Sequence, residues 1–384
     1  GQFGDNTTVS KSSPVQTVSA GTDWKQVSLI ASGQATAAIK TDGTLWSWGR
    51  NNYGQLGLGN TTDRSSPVQV GALTTWLNIA GGHSYTIATK TDGTLWTWGE
   101  NSVGTLGLNN TTSGIYSPIQ VGALTNWAKI ASGGYHYLAI KTDGTLWAWG
   151  YNNYGQLGQG NTTNYSSPVQ VGALTTWLQA AAGYFHTLAV KTDGTLWGWG
   201  AGLNGRTGHN NTTNYSSPVQ VGGLTNWLTI SAGIYTGFSV KTDGTFWTWG
   251  YNAQGVLGQG DTTSRSSPVQ VGALTNWLQA AAGYQFCIAT KTDGSLWAWG
   301  ANSHGQLGTS NTTSYSSPVQ VGALTNWLST ASSYQFALAI KTDGTLWAMG
   351  NNTRGQLGDG TTTARNSPVQ IGSFTDWLSI ACGQ

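Results

Sequence analysis

The tetrapeptide K-T-D-G recurs at Lys40, Lys90, Lys141, Lys191, Lys241, Lys291 and Lys341. A unit repeated at a near-constant step of about 50 residues is the strongest constraint on the fold, because repeats of that length stack into solenoids or propellers. All eight prolines fall in a second motif, S-P-V/I-Q, at Pro14, Pro67, Pro118, Pro168, Pro218, Pro268, Pro318 and Pro368. No stretch sustains a helical period. Short alternating segments bounded by turn residues read as strands instead.

Each unit supplies four strands. In the third copy, strand a is expected from Trp127 to Ala131, b from Tyr137 to Lys141, c from Thr145 to Trp149 and d from Pro168 to Val171. Between b and c, the Asp-Gly pair of T-D-G-T points to a two-residue type I′ hairpin, whose central residues need positive φ. Proline early in d suits an edge strand, where its missing N–H costs no ladder bond. Seven such units make an all-β protein, a seven-bladed β-propeller of four-stranded antiparallel blades, in a single domain over 1–384. The ends are redundant: segments 1–34 and 355–384 both carry closure elements, so strands a and d occur eight times and b and c seven. An outer strand near Pro14–Val18 and an inner one near Trp377–Cys382 are therefore surplus. At least one of them is expected to make a cross-closure or inter-chain contact, since an unpaired strand edge is a template for pairing.

Tryptophan accounts for how so polar a chain builds a core. Of 21 tryptophans, eight precede strand a (Trp24, Trp76, Trp127, Trp177, Trp227, Trp277, Trp327, Trp377) and the rest fill the W-x-W pairs of strand c, where Met349 takes the last place. Every Trp is thus framework, and none is assigned to a cofactor. Met349 is the only methionine, so the chain is expected to be a processed form or a fragment.

The repeated W-G-x-N-x-x-G-Q-L-G (Trp149 to Gly158 in one copy) and A-x-x-K-T-D-G resemble the regulator-of-chromosome-condensation (RCC) repeat family over essentially the whole chain. That resemblance implies a seven-bladed propeller closed by pairing strands from both chain ends. It implies no single activity. The eukaryotic namesake is a nucleotide exchange factor that binds nucleosomes, whereas bacterial relatives include secreted propellers that cover and inhibit β-lactamases. This chain lacks the long wedge insertion used for exchange and any basic tail for chromatin, so the fold transfers and that function does not.

Composition narrows the function classes. Charged residues are only 8% of the chain and the formal net charge is +2, which excludes the basic footprint of a nucleic-acid binder. No apolar run approaches a membrane-spanning length. A surface of Thr, Asn, Ser, Gln and Gly points to an extracellular setting. No cofactor is expected. Cys287 and Cys382 have no metal-ligand spacing, and neither do the five histidines. Seven of the aspartates sit in the b–c turns, and Glu100 is the only glutamate, so a pair of catalytic carboxylates is not expected. The chain reads as a non-enzyme.

Variation between copies locates a candidate surface. The b–c and d–a connections are nearly constant, while the a–b and c–d loops, which emerge on the opposite face, vary and carry most of the tyrosines. Tyrosine gives rigid amphipathic contact area at low entropic cost. The expected binding residues are Tyr85, Tyr135, His136, Tyr184, Phe185, His186, Tyr235, Tyr284, Phe286, Tyr334 and Phe336 from the a–b loops, with Tyr154 and Tyr165 from the c–d loops. The expected role is a non-catalytic interaction module holding a protein or glycan ligand. The alternative is a structural subunit whose partners are copies of itself, in a fibre or surface assembly.

Overall fold

The computed structural model describes residues 2–18, 23–30, 33–380 and 382, the side chain of residue 282 excepted. Among them are seven sheets, each of four antiparallel strands in strict chain order. In the third blade the strands are Trp127–Ser132, His136–Lys141, Leu146–Gly150 and Tyr165–Gln170, from the inner edge outward. The second strand is buried along its full length because neighbouring blades cover both of its faces. That explains why it reads H-Y-L-A-I-K rather than as a clean polar–apolar alternation.

Strand ends differ from the expected ones by one to three residues, and two of these differences bear on the site. The second strand begins at His136, which pairs with Gly150, so this residue belongs to the ladder and not to the loop. The outer strand begins at Tyr165, likewise opposite Gly150 across a bulge. The b–c turn is also not type I′. Gly144 has φ 78°, no other residue of that turn has positive φ, and Lys141 N–H donates to Thr145 O at 3.0 Å. This is a three-residue turn ending in a left-handed glycine.

The K-T-D-G-T-L-W motif is explained by this turn. The Asp143 carboxylate accepts the Thr145 amide at 2.9 Å and its hydroxyl at 2.7 Å, and that hydroxyl in turn accepts the Trp147 indole N–H at 2.9 Å. Lys141 lies over both Trp127 (4.8 Å) and Trp147 (3.7 Å), a cation–π cage that repeats in every blade. The second tryptophan of each pair latches blades together. Trp98, Trp149, Trp199, Trp249 and Trp299 donate to main-chain carbonyls of Gln55, Thr105, Gln156, Arg206 and Val256 in the preceding blade, at 2.8–3.0 Å.

Closure departs from the family expectation, since among the described residues no sheet mixes strands from the two chain ends. Instead the terminal segments lie between the seventh and first blades. Trp48 of the first blade donates to Gln2 O at 2.9 Å and Asn6 N–H donates to Ser65 O at 2.7 Å, so residues 2–6 repeat the loop half of the latch. On the other side Gly360 N–H donates to Ser12 O, as Gly160 N–H does to Ser216 O between the third and fourth blades. At the C-terminus Trp377 N–H donates to Gly344 O at 3.2 Å, as the inner-strand Trp of the second to seventh blades does to the hairpin before it. The expected cross-closure contact is therefore made within the chain. The central channel mouth is lined by corresponding inner-strand residues, Leu29, Gly81, Ser132, Ala182, Ala232 and Ser332, with Cys382 continuing the series. The ring has seven complete blades and an eighth position that, among the described residues, holds only an inner and an outer segment.

Candidate functional site

The inner ends of the blades converge so closely that the a–b turns of the second to sixth blades begin with glycine, and that of the seventh with Ser333. A Cβ on Gly133 would stand 2.6 Å from Gly183 O and 2.7 Å from the His136 ring. The next residues project outward around a channel mouth of about 320 Å³. There the a–b and c–d loops meet on one face, as the strand order requires.

That face carries a continuous aromatic cluster across the third and fourth blades. Tyr135 stands edge-on to Tyr184 at 5.5 Å, and Phe185 contacts Tyr184 (4.6 Å), Tyr154 (5.0 Å) and Tyr151 (5.9 Å). His83 of the second blade reaches Tyr135 at 5.8 Å. Ring pairs at such distances hold one another rigid. Tyr184 O–H donates to the Tyr135 hydroxyl at 3.4 Å, and burial together with this bond pushes the Tyr184 pKa up to about 12. The rings stay half-buried, and Tyr154 is 37% exposed, so their edges face solvent.

A second group flanks the first. The guanidinium of Arg206, which is 2% exposed, lies 4.8 Å over the Tyr235 ring, and its Nε–H donates to Leu203 O at 2.9 Å. Burial pulls the Arg206 pKa down, while the hydroxyls of Tyr235 and Tyr154 act against that shift. Tyr235 in turn neighbours Tyr251 at 6.1 Å. Across the mouth Tyr284 and Tyr334 stack at 4.3 Å, and Tyr334 is 45% exposed.

Several expected surface residues sit elsewhere. Tyr85, His136, His186 and Phe286 are 2%, 0%, 0% and 0% exposed. Each opens a second strand opposite the glycine that ends the third, which turns its side chain into the next blade. Tyr85 O–H donates to Gly133 O and Gly134 O at 3.1 and 3.0 Å, and His136 Nε2 bonds the Thr187 hydroxyl at 3.1 Å. Burial pushes His136 down to about 3 and His186 well below the usual imidazole range. These four are blade-to-blade packing residues. Phe336 occupies the same place but is half-buried. Tyr165 packs against the core of its blade, and its hydroxyl accepts from Asn161 at 2.9 Å.

The aromatic cluster thus gathers Tyr135, Tyr154, Tyr184 and Phe185 of the expected set, with Tyr235, Tyr284 and Tyr334 around the rim. It also includes Tyr151, His83 and Arg206, which the sequence reading did not select. Tyr151 fills the variable place of W-G-x-N, where other copies have Arg50, Glu100, Ala201 or Asn351. That variation was the available signal. Among the described residues no three His, Cys, Asp or Glu side chains converge as a metal site.

Residues 1–289 match the RCC1-like domain, and 293–340 and 343–384 match the regulator of chromosome condensation (RCC1) repeat. The ultraviolet-B receptor UVR8 of Arabidopsis thaliana is 33% identical over 141 residues, 35% of this chain and 32% of that protein. The RCC2 homologue of Danio rerio is 30% identical over 142 residues, 36% of this chain and 19% of that protein. The matched segments thus span a third or less of these curated relatives. Among solved structures, yeast RCC1 (Prp20), in a complex with Kap60, superposes with a TM-score of 0.70 at 18% identity, covering 94% of this chain and 91% of that one. Human WBSCR16 gives 0.67 at 21% identity, covering 81% and 84%. These likenesses extend the fold over nearly the whole ring. The chain belongs to the RCC1 repeat family.

Proposed function

We propose that the protein is a non-catalytic binding module that engages a protein partner through the aromatic face of its third and fourth blades. The observation that carries this reading is the cluster of Tyr135, Tyr151, Tyr154, Tyr184 and Phe185, held ring against ring at 4.6–6.4 Å with its edges in solvent. Preorganised aromatic residues are the commonest anchors of protein interfaces, since little side-chain entropy remains to be lost on binding. Family membership lends support in kind: yeast Prp20 is described by its binding to Gsp1p and histones, and has been solved bound to Kap60. None of those partners is assigned to this chain. We also propose the extracellular setting on compositional grounds alone.

The test is capture on immobilised protein, comparing the native chain with Tyr135→Ser/Tyr184→Ser/Phe185→Ser and with Thr142→Lys/Thr192→Lys at exposed positions of the opposite face. Partners enriched by the native chain should be lost at least tenfold in the first variant and kept in the second. Equal capture by the native chain and the first variant contradicts the reading. A parallel glycan array separates the two ligand classes: binding of oligosaccharides in place of proteins, sensitive to the same three residues, would transfer the face to carbohydrate.

A further inference from the structure

We propose that the aromatic face opens and releases its partner on acidification, because the side chains that peg its two a–b loops to the blades are His136 and His186. The release rests on the binding role given above; the opening does not.

The peg position is shared by all seven blades. It pairs with the glycine that ends the third strand, and it is filled in turn by Ala35, Tyr85, His136, His186, Thr236, Phe286 and Phe336. A side chain that gains charge by binding a proton stands there in the third and fourth blades alone. Those are the blades that carry the aromatic cluster, and each histidine directly follows one of its rings, Tyr135 or Phe185.

Neither ring has a place for a second N–H charge. Both are fully buried. The Thr187 hydroxyl donates to Gln156 O at 2.8 Å, so it accepts from His136 Nε2–H, and His136 Nδ1 is left without a hydrogen-bond partner. His186 faces His136 and the buried Arg206 guanidinium, whose charges oppose its protonation; the Thr236 main chain favours the charged ring but is outweighed. The other titratable groups nearby are the Tyr85 hydroxyl, spent on Gly133 O and Gly134 O, and the Tyr235 ring under Arg206. Glu100, the acid of the neighbouring c–d loop, is held by Ser102 and Ser113. His83 lies on the exposed side of the cluster, against Tyr135.

Relief of the charge is local. Freeing His136 breaks the bonds from Gly133 N–H to His136 O (2.9 Å) and from Tyr151 N–H to Tyr135 O (3.0 Å); freeing His186 breaks those from Gly183 to His186 and from Ala201 to Phe185, both 2.9 Å. All four sit at strand ends, so the rest of each ladder can stay paired. The two loops are tied to each other through Tyr184 O–H to the Tyr135 hydroxyl and Gly134 N–H to Gly183 O, both 3.4 Å. Detaching either loop therefore breaks up the ring cluster. An opened imidazole titrates near pH 6.5, whereas the closed His136 stays neutral down to about 3. The closed form is thus favoured above about pH 6.5 and loses ground below it. At pH 5 the ratio of open to closed rises about thirtyfold for each histidine, and about a thousandfold for the pair.

Hydrogen–deuterium exchange of the intact chain from pH 7 to 5, corrected for intrinsic rates, tests the opening without a partner. Segments 133–137 and 183–187 should lose protection at least a hundredfold, while 283–287, with Phe286 at the peg, should keep it. His136→Phe/His186→Phe should abolish the loss, and His136→Thr/His186→Thr, which copies Thr236, gives the same reading should the first variant fold poorly. Partner captured at pH 7 should elute at pH 5 from the native chain and from His83→Gln, but stay on the double variant. Exchange in the two segments that does not change with pH, or that changes equally in the double variants, overturns the proposal. A partner that stays bound at pH 5 to an opened chain overturns the release and leaves the binding role standing; failure to capture any partner, with exchange as expected, defeats the binding role and the release together and leaves the opening.

Discussion

Replacing Trp199 tests the blade-to-blade latch with a control that the chain itself contains. Trp199 is 0% exposed, lies among Leu138, Leu157, Val171 and Trp177, and donates to Gln156 O at 2.9 Å. A buried Trp removes roughly 200–250 Å² from water, which at about 25 cal/mol/Å² sets an upper bound of about 5–6 kcal/mol. Trp199→Ala should therefore cost about 3–5 kcal/mol, in the range of large-to-small core changes. The seventh blade shows what a milder change looks like, because Met349 fills the equivalent site at 0% exposure without an N–H. Trp199→Met should cost only about 1–2 kcal/mol. It keeps most of the volume, and Gln156 O retains the Thr187 hydroxyl at 2.8 Å, so no acceptor is orphaned. Trp197, half-buried beneath Lys191 at 3.6 Å, should fall between, at about 2–3 kcal/mol on change to alanine. Urea unfolding followed by circular dichroism reads these as midpoint shifts at constant m. The latch reasoning is refuted if Met and Ala at position 199 cost the same, or if Trp197→Ala exceeds Trp199→Ala.

The two buried histidines should make the protein acid-sensitive. Burial holds His136 down to about 3 and His186 well below the usual range, so the unfolded chain binds more protons below pH about 6.5. The stability that both contribute above that pH should decline towards pH about 3, at up to about 1.4 kcal/mol per pH unit for each. His136→Phe/His186→Phe, which copies the Phe286 of another blade, should flatten that slope in melts from pH 7 to 4; an unchanged slope would assign it to other groups. Gly144→Ala should destabilise by more than about 1 kcal/mol, since φ is 78° and the new Cβ would lie 2.1 Å from Thr175 O. Gly122→Ala, with φ 61° but open space around it, should cost less in the same thermal melt.

The architecture was legible because every unit states it. The position of the turn, the first tryptophan of strand c and the prolines survive in all copies, and the turn serves one geometry: Asp143 to Thr145 to Trp147, with Lys141 above the rings. What could not be read was register at the strand ends. His136 and His186 look like loop residues, since they vary among copies as the loops do, with Thr236, Phe286 and Phe336 at the same place. A one-residue extension of the ladder carries them into a strand that neighbouring blades cover on both faces. Tyr135, one residue earlier, remains on the surface. The terminal segments were recognised as surplus, but their destination depends on three-dimensional neighbours. The bonds from Trp48 to Gln2, from Asn6 to Ser65 and from Gly360 to Ser12 show that residues 2–14 occupy a ring position of their own.

The aromatic face is the central claim, and hydroxyl-radical footprinting of the protein with and without its captured partner tests it most directly. The account predicts that oxidation of Tyr135, Tyr151, Tyr154, Tyr184 and Phe185 falls several-fold on binding, while Trp147 and Trp197 beside the b–c hairpins are oxidised equally in both states. Protection confined to Trp147, Trp197 and the other hairpin-face residues, with the tyrosine cluster unchanged, would contradict it.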